Sequence, residues 1–407
     1  MTTQIRRKKF KSESLLFFIC FVPFFWAKLI QLTTLIDYPF INQTCGLAIR
    51  LFGLLNLCTI VLCKLPRRKF LVFVCCFLLF VLSGYLSDDW QFIWTIGFII
   101  TAHNCDFNKI AKVTFISYSF ILLATFVLSS GGVIVNTITY GLTRVRYGMG
   151  FIFTSIGGII VTRIGLLLIY LKRKKINLIE ITLLVGLAVF YYIKTKTRAP
   201  FVIIILLVFI VYSTKWFDKL FKSKFWKWIV QYCVVIAPAI AFASVLLYNP
   251  SNSILNVINL LFSSRLSITK RTLATDGISL LGQRLTTVGT GTWTSTGEVI
   301  QEAGWLYNVV DSSYILYAMK YGVIFLLIII VLYYICCRKS LLSNDIFLQI
   351  ILVILIMYGI FEPQLFRIEY NPFILLLGDF FYEKYRYPFK HTKALFISKR
   401  PSISKWQ

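Results

Sequence analysis

Apolar runs of roughly membrane-span length recur along this chain from Leu15 to Leu377, and short clusters of Lys and Arg separate them. A soluble helical domain needs a polar outer stripe on most of its helices, so it has no place for so many runs that are apolar all round. A bilayer does. Its hydrocarbon core accepts helices of about 20 apolar residues and requires their backbone groups to bond within the segment. Composition agrees: 58% of residues are hydrophobic and 14% charged, where a soluble domain carries about 25% charged. The expected fold class is all-α, a polytopic integral membrane protein.

Reading window by window gives about 12 transmembrane helices, at roughly 14–32, 44–63, 70–87, 90–105, 113–131, 150–171, 177–193, 199–214, 229–247, 312–335, 346–361 and 370–383. The N-terminal segment has the basic head of a signal peptide. It lacks a small-residue cleavage site and its apolar run is too long for one, so it reads as the first span. With the N-terminus inside, 29 of the 43 Lys and Arg fall in inner segments and 10 in outer ones, as the positive-inside rule requires. Residues 1–407 thus read as a single membrane domain, with a basic cytoplasmic tail at 384–407. Residues 248–311 are the long polar stretch, rich in Ser, Thr, Gly and Asn. They read as one long extracytoplasmic loop, too poor in apolar residues for a core of its own.

A net charge of +27 could suggest nucleic acid, but its clustering between spans assigns it to the membrane surface. In 215–227 lysines interleave with aromatic residues, as suits a helix resting on an anionic leaflet. The ten cysteines lie mainly within apolar runs, where they act as small hydrophobes, and no spacing suggests zinc.

The residues with chemistry fall on the expected outer face. Arg144 and Arg146 stand in TRVRYGMGF, just before Gly148 and Gly150. In an extended segment residues two apart share a face, so the pair can grip phosphate oxygens; it can equally anchor a span end at the headgroups. The glycines would allow close backbone approach to a ligand. Arg198 sits in the tight turn KTKTRAP at the edge of the apolar layer, where a cation marks a ligand site unless it snorkels. The long loop adds Arg265, with Asp311 just before one span and Glu362 just after another. Several arginines with few carboxylates suit a phosphorylated substrate and a general base. Burial beside the span end would raise the pKa of Glu362. Arg163 and Arg50 lie inside spans and read as ion partners within the bundle or as substrate contacts. The sequence contains no Ser-His-Asp set, P-loop or metal box.

The order RYGMGF (146–151), TKTRAP (195–200), SSRLS (263–267), LLGQ (280–283), DSSYILYAMKYG (311–322), GIFEPQ (359–364) and EYNPF (369–373) resembles bacterial Wzy-type polysaccharide polymerases, of the O-antigen ligase superfamily. The resemblance covers the C-terminal two-thirds of the chain. It implies a glycosyltransferase without metal or cofactor, acting on the outer face of the bacterial plasma membrane. Such an enzyme moves a growing chain from undecaprenyl diphosphate onto the next undecaprenyl-diphosphate-linked oligosaccharide, alongside a flippase and a chain-length regulator. By the same resemblance Arg144, Arg146, Arg198 and Arg265 would hold the diphosphate. Glu362, and after it Asp311, would serve as base. Trp293, Trp305 and Tyr307 would stack on sugars, a role for which interface anchoring is an equal alternative. Where such polymerases often carry His-Pro-Asn, this chain has Phe153, Thr154 and Ser155. A ligase passing finished glycan to another acceptor would share this layout. A flippase or other secondary transporter would place its polar residues near the midplane and show repeat symmetry, whereas this chain gathers them towards one face.

Overall fold

The computed structural model describes residues 2–61, 67–103, 105–141, 144–261, 264–285, 293–294, 296–299 and 308–381. Helices dominate. In chain order they are α1 (Thr2–Ile30), α2 (Pro39–Ile60), α3 (Arg67–Ser87), α4 (Gln91–Ala102), α5 (Phe107–Ser130), α6 (Ile156–Lys172), α7 (Leu178–Thr195), α8 (Arg198–Trp216), α9 (Asp218–Phe221), α10 (Lys224–Leu246), α11 (Ser253–Leu261), α12 (Arg265–Asp276), α13 (Ser313–Leu316), α14 (Val323–Leu342) and α15 (Ile346–Tyr358). An antiparallel hairpin between α5 and α6 pairs β1 (Ile138–Gly141) with β2 (Arg144–Tyr147), Ile138 facing Tyr147 and Gly141 facing Arg144. A π-helical turn (Tyr317–Tyr321) joins α13 to α14, and a 3₁₀ helix (Pro372–Phe381) follows α15.

Seven helices are long and apolar enough to cross a membrane: the Glu13–Ile30 part of α1, then α2, α3, α5, α7, α10 and α14. Three more, α4, the Arg198–Thr214 part of α8, and α15, are apolar but shorter. The count falls below the 12 expected because several of the apolar runs form short helices: α4, α6 and α15 have 12, 17 and 13 residues, and the run near 370 winds as a 3₁₀ helix of 10. The run at 312–335 keeps a long helix, α14, but is divided before it by the π turn. The expected loop at 248–311 contains two helices among its described residues, α11 and α12. Asn259 of α11 explains the second: its Oδ1 accepts the amides of Leu266 (3.0 Å) and Ser267 (3.2 Å), satisfying two of the orphan donors at the start of α12. The tail at 384–407 lies outside the described residues.

Four helices that begin beside basic clusters are capped by side chains. Asp106 caps α5, Asn177 and Glu180 form a capping box on α7, Ser223 caps α10 and Asp345 caps α15. Two ion pairs tie the turns at this end, Lys172 to Glu180 at 2.8 Å and Arg173 to Asp345 at 2.9 Å. In the interior, Phe21 and Phe24 of α1 pack on Phe98 of α4, and Phe92 packs on Phe325 of α14 at 4.9 Å. In lipid such close packing, rather than escape from water, holds helices together.

The break before α14 shows how an interrupted span keeps its backbone bonded. The Gln283 amide donates to the Lys320 carbonyl (2.9 Å), and the amides of Val323 and Ile324 donate to Ser279 (2.9 Å) and Leu280 (3.2 Å). Residues 279–283 thereby take up groups the broken helix would leave unpaired. Gly322 makes the approach possible: its φ is +96°, and a Cβ there would lie 2.5 Å from the Leu280 carbonyl oxygen. Gly322→Ala is expected to cost about 1–3 kcal/mol from backbone strain alone. The thermal midpoint of the purified protein in detergent should fall accordingly; an unchanged midpoint would mean that 279–283 does not pack against the break.

Candidate functional site

Strand β2 places Arg144 and Arg146 on one half-buried face, with Val145 and Tyr147 exposed on the other. The turn after it is fastened to the end of α1. Thr34 donates its amide to the Gly150 carbonyl (2.9 Å), and Ile152 donates to Leu32 (3.1 Å). The two glycines serve the chain's own packing. A Cβ on Gly148 would stand 2.0 Å from the Thr137 hydroxyl, and Gly150, at φ +85°, lies against the Thr125 carbonyl.

The hairpin, the α3–α4 corner, α12, the π turn and the turn after α15 together line a cavity of about 390 Å³, within the size range of small-molecule sites. Its described lining includes four cations, Arg146, Arg265, Lys320 and Arg367, and three carboxylates, Asp89, Asp311 and Glu362. Phe153, Thr154 and Ser155 line it too. Four of the residues singled out in the sequence, Arg146, Arg265, Asp311 and Glu362, therefore share one cavity. Arg144 and Arg198 stand beside it. Arg144 Nη1 donates to the Lys196 carbonyl (3.3 Å), and Arg198 directly follows Thr197, which lines the cavity. Burial, and then the nearby charge of Arg198, pull the Arg144 pKa down. Trp293 is not part of that lining; its indole N–H donates to Asp37 Oδ2 at 2.9 Å. Trp305 and Tyr307 lie outside the described residues.

Arg265 joins the two candidate bases. Its Nε lies 3.0 Å from Asp311 Oδ2 and its Nη1 3.2 Å from Glu362 Oε1, while Nη1 also donates to the Phe361 carbonyl. Glu362 is 4% exposed. Burial pushes its carboxyl above the ordinary range, Arg265 counters, and the neighbouring Asp311 adds to the rise. Asp311 is also raised by burial against the pull of Arg265. The arrangement is two carboxyl groups sharing one guanidinium, one of them poised to take up a proton more readily than a free glutamate would. Within the bundle, Arg163 of α6 is buried, with its guanidinium 5.3 Å from the Tyr358 ring centre. Arg50 is exposed on α2.

Two further charge clusters border the cavity. Arg367 grips Glu369 Oε1 through Nη2 (2.7 Å) and Nε (2.8 Å). Burial works against ionisation of Glu369, yet Arg367 and Lys28 hold it below its ordinary value. Lys320 pairs with Asp89 at 2.8 Å. Sequence reasoning passed over Asp89 and Lys320. The available signals were an Asp-Asp pair closing one apolar run and a single lysine set within another.

Comparison with protein-family models, with curated proteins and with solved structures found no match to this chain. Arg265→Gln should leave the buried Glu362 and the part-buried Asp311 without their cation and destabilise the protein by roughly 3–5 kcal/mol. Adding Glu362→Gln should recover part of that loss in thermal melts. Identical melts for the single and double variants would mean that Glu362 and Arg265 are not coupled.

Proposed function

We propose that this chain is a polysaccharide polymerase of the bacterial plasma membrane. It would extend a surface glycan by transferring the growing chain from undecaprenyl diphosphate to the next lipid-linked repeat unit. On this reading α4, α6, α8, α15 and Pro372–Phe381 complete twelve spans with the seven longer helices, and the cavity opens to the outer face. The observation that carries the proposal is the buried Glu362, held by Arg265 in a cavity that also presents Arg146. A base and fixed cations in one cavity are what glycosyl transfer from a diphosphate needs.

In that reaction the Glu362 carboxylate takes the proton of the acceptor hydroxyl. The acceptor oxygen bonds to the anomeric carbon of the donor as the bond from that carbon to the diphosphate oxygen breaks. The electron pair leaves with the diphosphate, whose growing charge Arg146 meets, with Arg144 and Arg198 alongside. Arg265 keeps the base in place, and Thr154 and Ser155 offer hydroxyl groups where a histidine-containing motif is absent.

Arg146→Ala should lower the polymerisation rate by roughly 10²–10³-fold, the usual loss for one oxyanion-stabilising donor. Gels of lipid-linked and surface glycan would show the high-molecular-weight ladder replaced by single repeat units on the outer leaflet, as in a full deletion. Units trapped on the inner leaflet of the deletion strain would indicate a flippase instead, and unattached full-length chains a ligase. The pH profile offers a second test. Glu362 must be ionised to act as base and burial raises its pKa, so activity should fall as pH drops through a value above the ~4.3 of a free glutamate. Asp311→Asn removes a repelling carboxylate, so the acid limb should move to lower pH. A limb that moves upward would exclude Glu362 as the titrating base.

A further inference from the structure

The same cavity is lined by a cluster of a different character. Asp89 Oδ2 accepts hydrogen bonds from Lys320 Nζ (2.8 Å), the Tyr321 hydroxyl (2.7 Å) and Gln91 Nε2 (3.0 Å), and Oδ1 accepts from the Gln91 amide (3.3 Å). Burial opposes ionisation of Asp89, but Lys320 and these hydrogen bonds keep it below its ordinary value. The pair is therefore an ionised Asp beside an ammonium group, with no net charge. The backbone behind it is held by hydrogen bonds: Ser83 donates its hydroxyl to the Tyr321 carbonyl (2.8 Å), and residues 279–283 are bonded to the π turn that carries Lys320. Aromatic rings flank it, Phe92 lying 4.4 Å from Tyr321 between ring centres.

Charge decides what such a wall can bind. A diphosphate approaching Lys320 would meet Asp89 less than 3 Å from the ammonium group, and like charges repel. A sugar hydroxyl both donates and accepts, so it can bond to each half of the ion pair, while sugar C–H faces lie against the rings. An independent observation points the same way. Gln364 also lines the cavity, is 7% exposed, and has a buried Oε1 with no hydrogen-bond partner. A buried acceptor left unsatisfied is costly, and a donor on a ligand would relieve it.

We propose that Asp89, Gln91, Lys320 and Tyr321, with Gln364, form the subsite that recognises the sugar of the acceptor, while Arg146, with Arg144 and Arg198, takes the diphosphate. This rests on the polymerase reading. It replaces stacking on Trp293 with hydrogen bonding at an ion pair.

The test is binding by calorimetry, with the full chain in nanodiscs. The two probes are the repeat-unit oligosaccharide freed from its lipid by mild acid, and inorganic pyrophosphate. The double variant Asp89→Asn with Lys320→Met removes both charges together and should weaken oligosaccharide binding at least tenfold while leaving pyrophosphate binding unchanged. Arg146→Ala should do the reverse. Gln364→Met removes the orphaned acceptor, so it should weaken oligosaccharide binding while its thermal midpoint holds or rises, a combination that simple misfolding cannot give. Wild-type oligosaccharide affinity in both the double variant and Gln364→Met overturns the subsite, as does loss of pyrophosphate alone in the double variant. A wild-type protein that binds neither probe overturns the polymerase reading itself.

Discussion

Arg265 is the one cation shared by two carboxyl groups, and the three partners come from three stretches of chain. Arg265 opens α12, Asp311 precedes α13, and Glu362 follows α15. Moving a charge out of water costs several kcal/mol unless an opposite charge and hydrogen bonds meet it. None of the three segments can therefore bury its charge alone. Their mutual need fixes one wall of the cavity and makes the segment after α10 part of the site rather than a cover laid over it. The same balance raises the pKa of Glu362, so the device that assembles the wall also tunes the candidate base.

A second constraint shapes another part of the lining. Within an apolar layer no backbone group can be left without a partner, so a helix can break only where another segment supplies the missing bonds. Residues 279–283 do this for the π turn and Gly322, and the π turn in turn carries Lys320 to Asp89. The hairpin follows the same logic at the end of α1, where Thr34 and Leu32 bond to the turn holding Gly150 and Ile152. The hairpin and the π turn each carry a charged side chain to the cavity, Arg146 and Lys320.

Much of this was legible in the sequence. Arg146, Arg265, Asp311 and Glu362 stood out because charge is rare in such a chain; three lie at the border of an apolar run and Arg265 in the long polar stretch. The face shared by Arg144 and Arg146 followed from two-residue spacing in an extended segment. Asp89 and Lys320 did not stand out. Neither residue carries a local sign of the other, and their 231-residue separation hides a contact of 2.8 Å. Trp293 looked like a sugar platform because an aromatic residue in a polar loop fits that role, but its indole bonds to Asp37. Gly148 and Gly150 looked like room for a ligand and prove to be room for Thr137 and the Thr125 carbonyl.

The sequence by itself determined that the chain is a helical membrane protein and where its basic clusters fall. Those properties depend on local composition and on the cost of charge in hydrocarbon, which need no knowledge of distant contacts. Only the tertiary structure decided which charges meet. Pairing between Arg265, Asp311 and Glu362, or between Lys320 and Asp89, depends on how helices far apart in the chain pack side by side. Close packing in lipid sets that arrangement through the shapes of whole helix faces, and no single run of residues encodes it.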